Sequence, residues 1–125
     1  MLPAAQRLRQ SRDFRATVRR GRRAGSPGRR LVVHLQAVAD GVHLGQGVQP
    51  ARAGIVVPRS VGGAVVRTTV KRRLRHLLRT RLVQLSPGSA VVVRALPPAA
   101  GATSAELDAD LGAALSRVMH RGPAW

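Results

Sequence analysis

The chain has 125 residues, of which 22 are Lys or Arg and 5 are Asp or Glu, for a formal net charge of +17. That length fits a single domain spanning 1–125, and that charge repels itself unless a polyanion neutralises it. This argues against a free-standing small-molecule enzyme and for a nucleic-acid partner, with an anionic membrane surface as the rival.

The basic stretch 7–30 comes first. Ser11 suits a helix N-cap, Asp13 suits the first turn, and Phe14 and Val18 share a face four residues apart. The helix ends at Gly21, and Arg22–Arg30, rich in Gly, Ser and Pro, reads as a basic loop. Residues 31–38 read as a strand, with Leu31, Val33, Leu35 and Ala37 on one face and Val32, His34 and Gln36 on the other. A Gly-rich loop, Asp40–Pro50, leads to a second strand at 52–57.

Ala64–Leu85 is predicted as one amphipathic helix. Val66, Val70, Leu74, Leu77 and Leu78 make its apolar stripe, with Arg67, Lys71, Arg72, Arg75 and Arg79 expected opposite. Like charges four apart each cost an isolated helix about 0.2–0.5 kcal/mol, so stability alone does not account for them. Ser86–Ser89 is a turn. Ala90–Ala95 is a third strand, with Val91 and Val93 opposite Val92 and Arg94, and Pro97-Pro98 ends it. Thr103 and Glu106 have capping-box spacing at the start of a helix over 103–120, followed by a tail, 121–125. Leu107, Leu111, Ala114, Leu115 and Val118 form its apolar face, and Glu106, Asp108 and Asp110 are expected on its outer face. The order is helix, strand, strand, helix, strand, helix. It predicts an α+β sandwich, a small mixed sheet packed by helices, with a crossover through 64–85.

The catalytic inventory is thin. Without cysteine there are no disulfides, thiolate metal sites or cysteine nucleophiles. The four histidines lack metal-ligand spacing, and no phosphate-loop or dinucleotide motif occurs, so neither a catalytic residue nor a metal ligand is expected in this chain. No apolar run approaches the ~20 residues of a membrane span. No secretory signal is recognised, and a cytoplasmic location is expected. Phe14 and Trp125 are the only aromatics, too few for a sheet that reads RNA by stacking bases. Contact with RNA backbone and shape is expected instead.

Three stretches, Gly54–Arg59, Val61–Arg67 and Val70–His76, resemble the bacterial ribonuclease P protein family. So do Ser11–Arg15, Arg20–Arg23 and the strand Val91–Ala95. The resemblance covers nearly the whole chain. It implies a basic subunit of a ribonucleoprotein that removes the 5′ leader from precursor tRNA. The RNA subunit would carry the active site and bind most of the Mg²⁺. The implied partners are ribonuclease P RNA and the leader, with no membrane and no protein oligomer required. The implied fold is ribosomal-protein-like with a left-handed crossover.

On this resemblance Arg67, Lys71 and Arg72 match the family's RNA-binding motif, and Thr68, Arg75 and Arg79 belong with them. Phe14 matches a cleft aromatic, and Val18 stands where the family often has a second one. Arg15 and His34 are expected beside them in the leader cleft, with Arg19, Arg22, Arg23 and Arg59 as further phosphate contacts. The chain departs from the family at Thr68 and Thr69, where the motif has Asn followed by Arg or Lys. Thr68 keeps one hydroxyl and loses the amide's paired donor and acceptor. Thr69 loses a cation. A structural ribosomal-type or RNA-chaperone protein stays open as the alternative. A membrane-surface binder would lack the aromatic anchors such helices use.

Overall fold

The structure, a computed structural model, describes Arg7, residues 11–36 and residues 51–120. The elements are α1 (Ser11–Arg20), β1 (Arg22–Gly25), β2 (Leu31–Gln36), β3 (Arg52–Val56), α2 (Ala64–Arg81), β4 (Ala90–Ala95) and α3 (Ser104–His120). The strands form one sheet in the order β1-β2-β4-β3. β2 runs antiparallel to β1 and to β4, and β3 runs parallel to β4, with α2 as the connection between those two. The predicted mixed sheet and crossover are present. The predicted loop at 40–50, the strand end at 37–38 and the tail at 121–125 lie outside the described residues.

One sheet face carries Leu31, Val33, Leu35, Val91, Val93 and Ala95, all buried. Val70, Leu74 and Leu78 of α2 and the full predicted stripe of α3 pack against it in one core. Each fully buried Leu or Val contributes about 1.5–3 kcal/mol. The opposite face is covered in part by α1. Thr17 is fully buried and its hydroxyl donates to Gln36 Oε1 at 3.4 Å. Gly21 ends α1 where any Cβ would collide with the Thr17 and Leu35 carbonyls.

Several sequence expectations are corrected. Arg22–Gly25 is not loop but an edge strand, paired in register from Arg22↔Leu35 to Gly25↔Val32. Only Ala24 of its four residues is buried, so it carries no alternating apolar signal. α2 stops at Arg81, and residues 82–84 tighten into a 3₁₀ turn that buries Leu82. Val66 is 36% exposed, because the first turn of α2 runs past the end of the core. Asp110 is buried rather than outward: its Oδ2 accepts from Ser26 Oγ at 2.9 Å and from Arg30 Nη1 at 3.5 Å. The capping box forms reciprocally, with Glu106 N donating to Thr103 Oγ1 at 3.1 Å and Thr103 N donating to Glu106 Oε1 at 2.9 Å.

Candidate RNA interface

The seven cations of α2 divide by partner. Arg73 Nη1 donates to the Ala102 carbonyl at 2.7 Å, and Arg81 Nη2 pairs with Asp108 Oδ1 at 3.0 Å. These two bind α2 to α3 and the turn before it. Arg72, Arg75 and Arg79 are exposed, and at 100° per residue they span only about 60° of the helix surface. His76 and Thr68 are exposed near them. The described carboxylates cannot neutralise this face. Glu106 and Asp110 pair with Arg30, and Asp108 pairs with Arg81.

Arg67 and Lys71 do not lie opposite the apolar stripe. Arg67 precedes Leu74 by seven residues and shares its side of the helix. It is half-buried, and its Nε is buried without a hydrogen-bond partner. Lys71 is half-buried at the border between the two faces. The cationic surface therefore wraps from the outer face of α2 round to its N-terminal end. At that end Arg59 is exposed in a 3₁₀ turn. The Thr69 hydroxyl donates to the Val65 carbonyl at 3.0 Å, so it serves its own helix.

The second surface is the other sheet face, beside α1, where His34, Val92 and Gly54 are buried and Arg23 and Arg94 are exposed. Register sets its residues in rows. Arg23, His34, Val92 and Gly54 make one row, and Gly25, Val32, Arg94 and Val56 the next. His34 is 8% exposed with Nδ1 unpartnered. Burial chiefly, then the charges of Arg23 and Arg94, holds its pKa below the usual 6.5, so the ring is neutral at pH 7.

Of the residues expected in this cleft, His34 is on the floor. Val18 is 45% exposed, about 100° round α1 from the buried Thr17. Phe14 belongs to α1, with its side chain outside the described residues. Arg15 and Arg19 are exposed on the side of α1 turned from the sheet. Arg23 is exposed on the cleft face, whereas Arg22 is half-buried on the core face. Arg94 and Arg52 join the cleft face without having been singled out in the sequence. The alternation of 90–95 already paired Arg94 with Val92. What sequence lacks is the register that places Val92 opposite His34.

Among the described residues no group of three His, Cys, Asp or Glu side chains is placed to hold a metal ion. No described helix is long and apolar enough to cross a membrane.

A family model described as Ribonuclease P matches residues 2–119. The chain is 59% identical over 123 residues to a ribonuclease P protein component of Streptomyces griseus, covering 98% of both chains. It is 57% identical over 122 residues to one from a Nocardioides species, covering 94% of this chain and 95% of the relative. The fold resembles the ribonuclease P protein of Staphylococcus aureus, with TM-score 0.72 and 23% identity over 89% of this chain and 93% of that one. It also resembles the Thermotoga maritima protein, solved with 1-(4-fluorophenyl)-2-thiourea, with TM-score 0.69 and 24% identity over 91% and 98%.

Proposed function

The chain belongs to the ribonuclease P protein family, and on that premise we propose that it is the RNA-binding subunit of an endoribonuclease that removes the 5′ leader of precursor tRNA. The observation that carries the reading is the division of α2's cations. Two are tied to the fold, while Arg72, Arg75 and Arg79 form an exposed face that the described acids leave uncompensated. Such a face neutralises phosphates and releases their counterions. Guanidinium forks match phosphate oxygens bidentately.

In this reading α2 docks on ribonuclease P RNA through Arg67, Thr68, Lys71, Arg72, Arg75 and Arg79. The groove between α1 and the sheet holds the single-stranded leader, with Phe14, Val18 and His34 as its lining. Arg15 and Arg19, on the outer side of α1, bind phosphates of the RNA passing over that helix, and the exposed Arg23 and Arg59 add further phosphate contacts, whereas Arg22 faces the core. In this reading, as the family resemblance implies, the RNA binds most of the Mg²⁺ and supplies the hydrolytic chemistry. The protein's work is electrostatic and positional, raising the affinity for substrate so that less Mg²⁺ is needed. It acts in the cytoplasm.

The test is to sequence the RNA that co-purifies with the tagged chain. One dominant RNA of several hundred nucleotides that cleaves precursor tRNA is expected. Ribosomal RNA or an unselected mixture would favour a structural ribosomal-type or chaperone role and refute the reading.

A further inference from the structure

We propose that the turn between β1 and β2 is a phosphate-binding site for folded RNA, anchored by Arg29, which extends the α2 interface along the rim of the sheet. That the RNA is the ribonuclease P RNA rests on the function proposed above; the phosphate contact does not.

Backbone strain marks the position. Arg29 has φ 56°, and among the described residues it is the one non-glycine with positive φ. In that left-handed conformation Cβ crowds the following carbonyl oxygen, so glycine or asparagine is its ordinary occupant. The adjacent Gly28 does not have positive φ. It is needed for close approach instead, since a Cβ there would strike the Arg30 guanidinium and the Asp110 carboxylate.

Such strain persists only where the surroundings over-determine it, and here they do. Arg29 N donates to the Ser26 carbonyl at 3.0 Å, and Leu96 N donates to the Arg30 carbonyl at 2.8 Å. Ser26 Oγ accepts from Arg30 N and Leu31 N and donates to the buried Asp110. Arg117 Nη1 donates to the Gly25 carbonyl at 3.0 Å. None of these bonds uses the side chain of Arg29. Arg30 next to it pairs with Glu106 and Asp110, and Asp108 is taken by Arg81. Arg29 is exposed, and no described residue accepts from its guanidinium. The fold thus holds a cation in a conformation that suits glycine and gives it no counter-charge. A turn fixed in this way presents that cation to an anion with little left to order on binding.

Topology puts the turn beside the α2 interface. The pairs Gly25↔Val32, Leu31↔Ala95 and Val56↔Arg94 bring the β1–β2 turn and the ends of β3 and β4 to one rim of the sheet. α2 leaves from that rim through the 3₁₀ turn that carries the exposed Arg59 and packs beside residues 97–101. β2 and β3 lie two strand spacings apart, about 10 Å. An RNA body seated on the N-terminal end of α2 therefore runs on to Arg29. The other exposed residues of the turn are Gly25, Pro27 and Gly28. They offer no aromatic plane for a base and no side-chain group to read one, so the RNA backbone is the part that fits.

The test is binding of the chain to ribonuclease P RNA over a range of salt. One phosphate contact contributes about 0.7–0.9 to the salt slope, so Arg29→Ala should weaken binding about five- to eightfold near 0.1 M salt. Arg29→Gly should weaken it equally while raising Tm by roughly 2–4 °C, because glycine relieves the crowding. Arg29→Lys should keep most of the slope with Tm unchanged. A slope unaltered by Arg29→Ala overturns the contact, and a Tm lowered by Arg29→Gly overturns the premise that this arginine works against the fold. At protein concentrations that saturate the RNA, Arg29→Ala should leave the binding of precursor tRNA unchanged. Weaker binding there would put Arg29 on the substrate and overturn its assignment to the RNA subunit. If the unmodified chain does not assemble with ribonuclease P RNA, the proposed function falls, and the same slopes measured on the RNA that co-purifies still decide Arg29.

Discussion

Removing the Asp110 carboxylate should destabilise the fold by about 2–3 kcal/mol. Asp110 is 6% exposed and accepts a hydrogen bond from the Ser26 hydroxyl at 2.9 Å and a longer one from Arg30 Nη1 at 3.5 Å. The Ser26 Oγ in turn accepts from Arg30 N at 3.1 Å and Leu31 N at 3.0 Å, so one side chain closes the turn between β1 and β2. Hydrogen bonds to a charged group contribute about 1.5–3 kcal/mol, and an orphaned buried hydroxyl costs about 1–3 kcal/mol. Arg30 keeps Glu106 at 2.9 Å, which holds the total toward the lower end. For 125 residues the unfolding entropy is about 0.26 kcal/mol per degree, so Asp110→Ala should lower Tm by roughly 8–12 °C. Urea denaturation gives the free energy directly. A cycle with Ser26→Ala isolates the shared bond, and a coupling of about 1–2 kcal/mol is expected. A loss under 0.5 kcal/mol for Asp110→Ala, or strict additivity in the cycle, would refute the buried network.

Three further outcomes follow from the same geometry. Arg72→Ala should shallow the salt dependence of RNA binding by roughly 0.7–0.9 without changing Tm, and a fall in Tm with an unchanged slope would reverse its assigned role. Its neighbour Arg73→Ala should do the opposite, losing about 1–2 kcal/mol of stability with the Ala102 contact and leaving the slope intact. His34 has a folded pKa below its unfolded value, so its contribution to stability is present above about pH 6.5 and is lost as pH falls through the lowered folded pKa. The slope from this group is at most about 1.4 kcal/mol per pH unit. His34→Gln should flatten it in pH-dependent melting, and an unaltered profile would contradict the neutral buried ring.

The elements with strong periodicity were legible. The faces of β2 and β4, the stripe and capping box of α3 and the inner stripe of α2 all follow from spacing, because burial demands those periods. The edge strand β1 was not. Two arginines, an alanine and a glycine carry no alternation, and only pairing with β2 makes them a strand. Its one signal was Ser26-Pro27-Gly28, a turn set immediately before a strong strand. The arginines were the harder case. Spacing shows which way a side chain leaves its helix, but not what stands in front of it. Arg73 and Arg81 look like their neighbours until α3 supplies a carbonyl and a carboxylate. Asp110 looked solvated until the β1–β2 turn folded over it. Arg94 became part of the cleft only through the register between β2 and β4.

Reconstitution with ribonuclease P RNA tests the account most directly, by following removal of the 5′ leader from precursor tRNA across a Mg²⁺ titration. With this chain present, cleavage should proceed at Mg²⁺ concentrations where the RNA alone is slow, and Arg72→Ala with Arg75→Ala should erase much of that gain. Leader removal at low Mg²⁺ that is no faster with the protein than without it would contradict the account.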